Sequence, residues 1–439
     1  MKEKRVQLRQ VKKMRHQHHQ ILTDTMKVTI HTSLIAAVTV NSIFYEDEGW
    51  LQSESDDEEY VEIDSDYCEA LLNPVIEIDG HRELEQFLGN LPLNARTLLK
   101  TPRSVLLDNI ADGKYWHFGL KQGIHQQLAN LPHNSIPESS SILVNVDGLP
   151  LTKSSRSTFW PILGLIYGEE KPFPIGVYHG TGKPDCVNSF LSKFIDEAVQ
   201  LEKDGLDHRG VNVKVRLSGF ICDAPARSFV AGTCGHTGKF ACPKCKAIGI
   251  NFVKPGKKKG RIVFSDMEAA LRTHQTFTDR ETPEHHKMRS VLEDLQIDMI
   301  KDIPLDYMHL VCMGVMGKLL IHWVNRQTTQ HLITPEMLEE ISDRLELLRN
   351  WVPSEFSRLP RSLSELCRWK ATELRQFLFT GPIVLKGILP SPLYNHFLCF
   401  HVAIKFLCSQ PLCFTHNHYC KRLLNILPGN QKSCTVGIS

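Results

Sequence analysis

The sequence predicts a mixed α/β core followed by an all-helical region. Three observations predict it. Runs rich in β-branched and aromatic residues, SILVNVDGLPL, FWPILGLIYG and FPIGVYHG, follow one another from residue 141. Val187, Phe190, Leu191, Phe194, Ile195, Ala198 and Leu201 then recur at helical spacing, one apolar face, before the strand-like run VKVRLSGFICDAPAR. Beyond Pro304 the period turns to that of helices.

The 439 residues leave room for two to four domains of ~100–200 residues. At 42% apolar and 23% charged the mix is that of a packed globular protein rather than a disordered, collagenous or coiled-coil one. The net charge of +2 hides segregation. Residues 1–19 carry Lys2, Lys4, Arg5, Arg9, Lys12, Lys13 and Arg15 against Glu3, and residues 46–69 hold twelve carboxylates with no Lys or Arg. A solvated flexible leader over 1–75 accounts for this, as does a basic arm for nuclear import or nucleic acid. The first twenty residues lack the apolar core of a signal peptide, and the stretch 33–44 is shorter than the ~20 residues of a membrane helix, so a nuclear or cytosolic protein without membrane contact is expected. Thirteen scattered cysteines, an odd number, argue for metal binding over a disulfide framework.

Residues 76–140, with Leu84, Phe87, Leu88, Leu98 and Leu99 interrupted by Pro92 and Pro102, are expected to form a small helical module. The core is placed at 141–310. Its order β-β-β-α-β lets the helix carry the chain back so that the fourth strand lies parallel beside the first, by the usual right-handed crossover. That is the opening of a ribonuclease-H-like domain. Asp147, after the first strand, and Asp223, after the fourth, then become lateral neighbours one strand spacing of ~4.8 Å apart. A helical region is expected at 311–410, with Thr334 capping a helix that has Pro335 at its first position, and a divergent tail at 411–439.

Paired carboxylates can share two divalent ions ~3.5–4 Å apart, which activate a water or hydroxyl and stabilise the leaving oxygen of a phosphodiester. From spacing alone, Asp-Gly is equally a turn and Asp-Ala-Pro a helix cap. Cys234, His236, Cys242 and Cys245, in an inserted loop at 234–245, have the residue types and spacing of a structural zinc site, or form a reduced loop. Asp306 and His309, three apart, are a capping acid with a histidine or a metal-proximal pair. Lys254, Lys257, Lys258, Lys259 and Arg261 follow the cysteine motif and could neutralise DNA phosphates. The histidine pair His285-His286 and the tail set Cys413, His416, His418 and Cys420 are further metal candidates.

NVDGLPLTKSS, WPILGLI, PFPIGVYHGTGKP, GFICDAPAR, HTGKFACPKC, PLDYMHLVCMGVMGKLL and RWKATELRQFLFTGPIVLKGIL, in this order over roughly 91–410, together resemble animal transposase-domain proteins related to CACTA (En/Spm) elements. The resemblance implies a DDE-type core of ribonuclease-H fold that cleaves and joins transposon ends with Mg2+ or Mn2+. It implies Asp147 and Asp223 as the first two catalytic acids, and structural Zn2+ at Cys242 and Cys245. It also implies an Asp-x2-His signature at Asp306 and His309. Its implied partners are DNA and a second copy of the chain, in the nucleus. Family members carry paired histidines and a Phe-Glu-Asn block with the third acid, and no such segment is present here, so an incomplete catalytic set is expected. Glu373, in the last matching block, is the fallback third acid. The competing expectation is a domesticated nuclear module that binds zinc and DNA or protein without catalysis.

Overall fold

The computed structural model describes residues 107–110, 112–129, 131–152, 156–253, 260–266, 268–324, 333–352, 356 and 358–435. The expected leader at 1–75, and Lys254, Lys257, Lys258 and Lys259, lie outside the described residues.

One mixed sheet dominates the first half. It comprises β1 (Asp108–Ile110), β2 (Gly113–His117), β3 (Ser139–Val146), β4 (Leu149–Pro150), β5 (Thr158–Ile166), β6 (Phe173–Gly180), β7 (Leu206–His208) and β8 (Val211–Ile221). The spatial order is β1-β2-β6-β5-β3-β8-β7, with β4 against β5. Every neighbouring pair is antiparallel except β3 and β8. A parallel pair needs a long crossover, and the sequence supplies it as a helix. Two helices serve this sheet: α1 (Leu120–Ala129) and the crossover α2 (Val187–Asp204). All seven residues of the apolar face read in the sequence are buried on α2. They join Ile142, Val144 and Val146 of β3 and Val213, Val215 and Leu217 of β8 in one core. Burying each such side chain contributes roughly 1.5–3 kcal/mol, so this face is what fixes α2 to the sheet.

Two boundaries differ from expectation. Residues 108–129, expected to be part of a helical module, supply the edge strands β1 and β2 as well as α1. Tyr115 is fully buried in the sheet core, and three- to five-residue strands leave too short a period to read. The tail also folds, for its Cys420, Leu423, Leu424 and Leu427 are buried in the second core.

After β8 come α3 (Ala224–Val230), the hairpin β9 (Ile250–Phe252) with β10 (Arg261–Val263), and α4 (His274–Thr278). A π-helix, Met308–Met316, leads into the helical region of α5 (Gly317–Val324), α6 (Pro335–Leu348), α7 (Ala371–Leu385), α8 (Ser391–Leu407), α9 (Gln410–Thr415) and α10 (Asn417–Thr435). Thr334 caps α6, its Oγ1 accepting from the Met337 amide at 3.3 Å. This region has its own core around Phe377, Phe397, Phe400 and Trp323. Among the described residues no helix is long and apolar enough to cross a membrane.

Candidate active site: an acid pair beyond two parallel strands

The register between β3 and β8 decides where the acids go. Ile142 lies opposite Leu217, and both face the core. One step on, Leu143 lies opposite Gly219, so Ser218 is an extra residue on β8 and the pairing shifts there. The bulge changes which residues of β8 face inward: Val213, Val215 and Leu217 are buried before it, Phe220 and Cys222 after it. Asn145 then pairs with Ile221, and its Nδ2 donates to the Ile221 carbonyl at 2.8 Å. Continued for two residues, this register sets Asp147 and Asp223 side by side on the face away from the core. Without the bulge, Asp223 would share the parity of Val213 and Leu217 and point inward, because side chains alternate with period two.

Each acid also performs the local task that its sequence context suggested. Asp147 Oδ1 accepts from the Gly148 amide at 2.7 Å, closing the Asp-Gly turn. Asp223 Oδ1 accepts from the Ala226 amide at 2.6 Å and caps α3, with Pro225 in its first turn. Cap and candidate ligand are compatible, since a carboxylate has several lone-pair sites.

Asp306 and His309 form a pair of their own at the start of the π-helix. Asp306 accepts from the amides of Met308 (3.2 Å) and His309 (3.0 Å) and is hydrogen-bonded to His309 Nδ1. Burial pushes the Asp306 carboxyl up, but the His309 side chain and amide outweigh it and hold it below the ordinary carboxylate value. The Asp306 hydrogen bond raises the His309 imidazole against the opposing effect of burial, and the charges of Asp306, Asp223 and Asp147 add to the rise. The neighbouring Cys222 thiol is pushed up to about 12, first by burial and further by Asp223 and Asp147.

The pH dependence of the Asp306–His309 bond follows in sign. A raised histidine contributes fully below its unfolded value of about 6.5 and loses the contribution as pH rises through its folded value; a lowered aspartate contributes fully above about 3.9 and loses it as pH falls. The window of full coupling is thus about pH 4–6.5. A double-mutant cycle of Asp306→Asn and His309→Gln, read by urea unfolding, is expected to give a larger coupling at about pH 6 than at about pH 9. An equal coupling at both would show that the bond is not ionic.

The cysteine loop is built differently from the expected four-ligand set. Cys242 and Cys245 are buried with their sulfurs 3.3 Å apart, and the Cys245 amide donates to Cys242 Sγ at 3.4 Å. The bond donated by Cys245 is the main cause that lowers Cys242, to about 6, and it raises Cys245 in turn. Burial lowers the His236 imidazole, opposed by the charge of Asp223. Cys234 is fixed by its amide, which donates to the His285 carbonyl at 2.8 Å. Among the described residues no three His, Cys, Asp or Glu side chains are gathered to hold a metal ion. Cys234, His236, Cys242 and Cys245 are therefore not gathered as one group among the described residues, nor are Cys413, His416, His418 and Cys420 of the tail. The sequence spacing allowed four ligands, but spacing alone does not fix how the loop folds.

Glu373 lies far from this chemistry in its bonding. It is 3% exposed, its oxygens accept from Arg361 at 2.5 and 3.0 Å, and Oε2 also accepts from the Lys370 amide at 2.8 Å. Arg261 lies opposite Phe252 in the hairpin, its guanidinium 5.9 Å from the ring centroid.

Sequence reasoning missed three contributors. Gly219 carries the bulge, and glycine inside a strand pattern was its signal. Lys244, between the two cysteines, is buried and donates to the Ile303 carbonyl at 2.9 Å and to the Ile300 carbonyl, tying the cysteine loop to the segment that leads to Asp306. Arg227 stands one helical turn after Asp223, and a surface role would have explained it equally well. Compared with models of protein families the chain matches none, and no curated protein matches its sequence.

Proposed function

We propose that this chain is derived from a transposase, with a ribonuclease-H-like core whose ancestral reaction is metal-dependent DNA cleavage and strand transfer at Asp147 and Asp223. The observation that carries the reading is the bulged parallel register of β3 and β8, which puts both acids on one face just beyond neighbouring strands. Three antiparallel strands, a crossing helix and a parallel fourth strand support the fold reading, and the seven ordered sequence blocks support the ancestry.

The donor set fits Mg2+ or Mn2+: two hard carboxylates, each oriented by a main-chain amide. When bound, such ions would polarise a phosphodiester and activate a water. The residues' own part is to hold the two carboxylates at fixed spacing, while Asp306 fixes the His309 imidazole by its hydrogen bond. The third acid that the resemblance implies has no assigned residue here, Asp306 being engaged by His309 and two main-chain amides. Cys242 and Cys245 fit two corners of a zinc tetrahedron, but the described arrangement brings no third ligand to them, so zinc enters no step.

The incomplete acid set favours a second reading, a domesticated nuclear module that binds zinc and DNA or protein without catalysis. Arg261 on the β9–β10 hairpin, with Lys254, Lys257, Lys258 and Lys259 in the segment joining its strands, suits phosphate contact that weakens with salt.

One set of measurements on the full chain separates them. Mn2+ binding, followed by electron paramagnetic resonance, is expected for the wild type, with a loss of tenfold or more in Asp147→Asn or Asp223→Asn, since each ion loses a hard ligand. Binding that is indifferent to both substitutions rejects the acid-pair reading. About one zinc per chain, lost on Cys242→Ser with Cys245→Ser, together with DNA retention but no Asp147-dependent nicking, would select the second reading.

A further inference from the structure

Only one of the two faces of the large sheet is covered by α1 and α2. Tyr115, Tyr178 and Trp160, side by side on β2, β6 and β5, turn into the core that these helices share. Residues between them turn the other way, because side chains alternate along a strand. On β5 that outward set is Phe159, Pro161, Leu163 and Leu165, with no polar side chain among them. Neighbouring strands continue it in register, with Val177 and Trp116 beside Pro161 and Leu143 beside Leu165. All are half-buried or exposed, and among the described residues none of them packs into either apolar core.

A sheet face that meets water carries polar residues at its outward positions, so an apolar face of this breadth marks a docking surface. Its border on β8 is basic. Lys214 and Arg216 are exposed on this side, since Val213, Val215 and Leu217 turn to the core.

The chain itself supplies an occupant of matching chemistry. β1 lies beside β2 at the rim of this face, so the residues that lead into Asp108 arrive there. Leu84, Phe87, Leu88, Leu91, Leu98 and Leu99 recur at intervals of 3, 4, 7, 14 and 15, the spacing of one helix face, and Pro92 suits the opening of a second helical piece. A helix over 83–99 would be ~25 Å long. From β1 to β8 the sheet is five strand spacings wide, ~24 Å. Residues 100–107 are left to turn at the rim, and the acidic end with Glu83 and Glu85 then reaches the side where Lys214 and Arg216 stand.

We propose that residues 83–99 dock on the outer face of the sheet, their apolar side against Trp116, Val177, Leu163 and Leu143 and their acidic end against the basic border of β8. These residues lie outside the described ones. The inference does not depend on the acid pair, which stands beyond the strand ends.

The test uses the full chain with the photo-crosslinker p-benzoylphenylalanine in place of Phe87, mixed with an equal amount of isotopically labelled chain of unaltered sequence. Mass spectrometry is expected to find crosslinks within one chain, from position 87 to peptides that carry Leu143, Leu163 or Val177. Adding Leu88→Asp is expected to lower their yield severalfold, because docking would bury a charge. The same change should raise the fluorescence of an apolar dye severalfold as the face is uncovered. Each variant is first shown to melt cooperatively, with Leu88→Ser in place of Leu88→Asp if the latter does not. Crosslinks to the labelled chain would overturn the proposal by showing a second copy on this face. Crosslinks that miss the face, or a yield indifferent to the change at Leu88, would overturn it as well.

Discussion

Gly219→Ala is expected to cost about 3 kcal/mol or more, since the added carbon meets backbone and the residue's dihedral is one that side chains rarely adopt. Gly219 has φ +156°, and a Cβ there would stand 2.4 Å from the Asp302 carbonyl oxygen. That carbonyl cannot simply withdraw, because it accepts from the Phe220 amide at 2.8 Å. The segment around it is held by Lys244 through the Ile300 and Ile303 carbonyls, and four residues further on lies Asp306. Relief of the clash must therefore separate β8 from this segment, or undo the bulge that sets the parity of Asp223. Urea unfolding measures the loss. Gly182→Ala, where nothing lies within 4 Å and φ is unexceptional, is the control, expected to change stability by no more than about 0.5 kcal/mol. Equal effects of the two substitutions would show that the bulge is not what holds the strand end.

Arg361→Ala is expected to cost about 3–5 kcal/mol, the range for removing one partner of a buried ion pair, because Glu373 would remain buried without its cation. The guanidinium also donates to the Arg368 carbonyl at 2.7 Å, so its loss loosens the turn before α7 as well. Glu373→Gln should cost less, as it removes the buried charge together with half of the bond. Neither change should alter Mn2+ binding at the acid pair by more than about twofold, since it supplies no ligand there. A third-acid role for Glu373 would produce the reverse pattern, an intact melt with lost metal binding. The two measurements together therefore decide between a structural and a catalytic carboxylate.

Much of the sheet was legible because burial writes itself into periodicity. β5, β6 and the face of α2 needed no tertiary knowledge, and the β-β-β-α-β order foretold which two strands would be parallel. β1 and β2 escaped because three to five residues carry little period, and the tail helix α10 because the sequence beyond Gln410 was read by its lack of resemblance rather than by its own spacing. The zinc set was not legible for a different reason. Spacing along a loop states how far ligands can reach, not which way the loop folds, and only Cys242 and Cys245 are in contact.

The amino-acid order alone determined that two aspartates end adjacent parallel strands, since alternation and crossover rules act through neighbours in the chain. Which face those aspartates occupy was decided only in three dimensions, by one extra residue at Ser218 and by the approach of the Asp302 carbonyl to Gly219. Parity is a property of a strand paired with its partner. The bulge that resets it exists only once β3, β8 and the segment before Asp306 have come together.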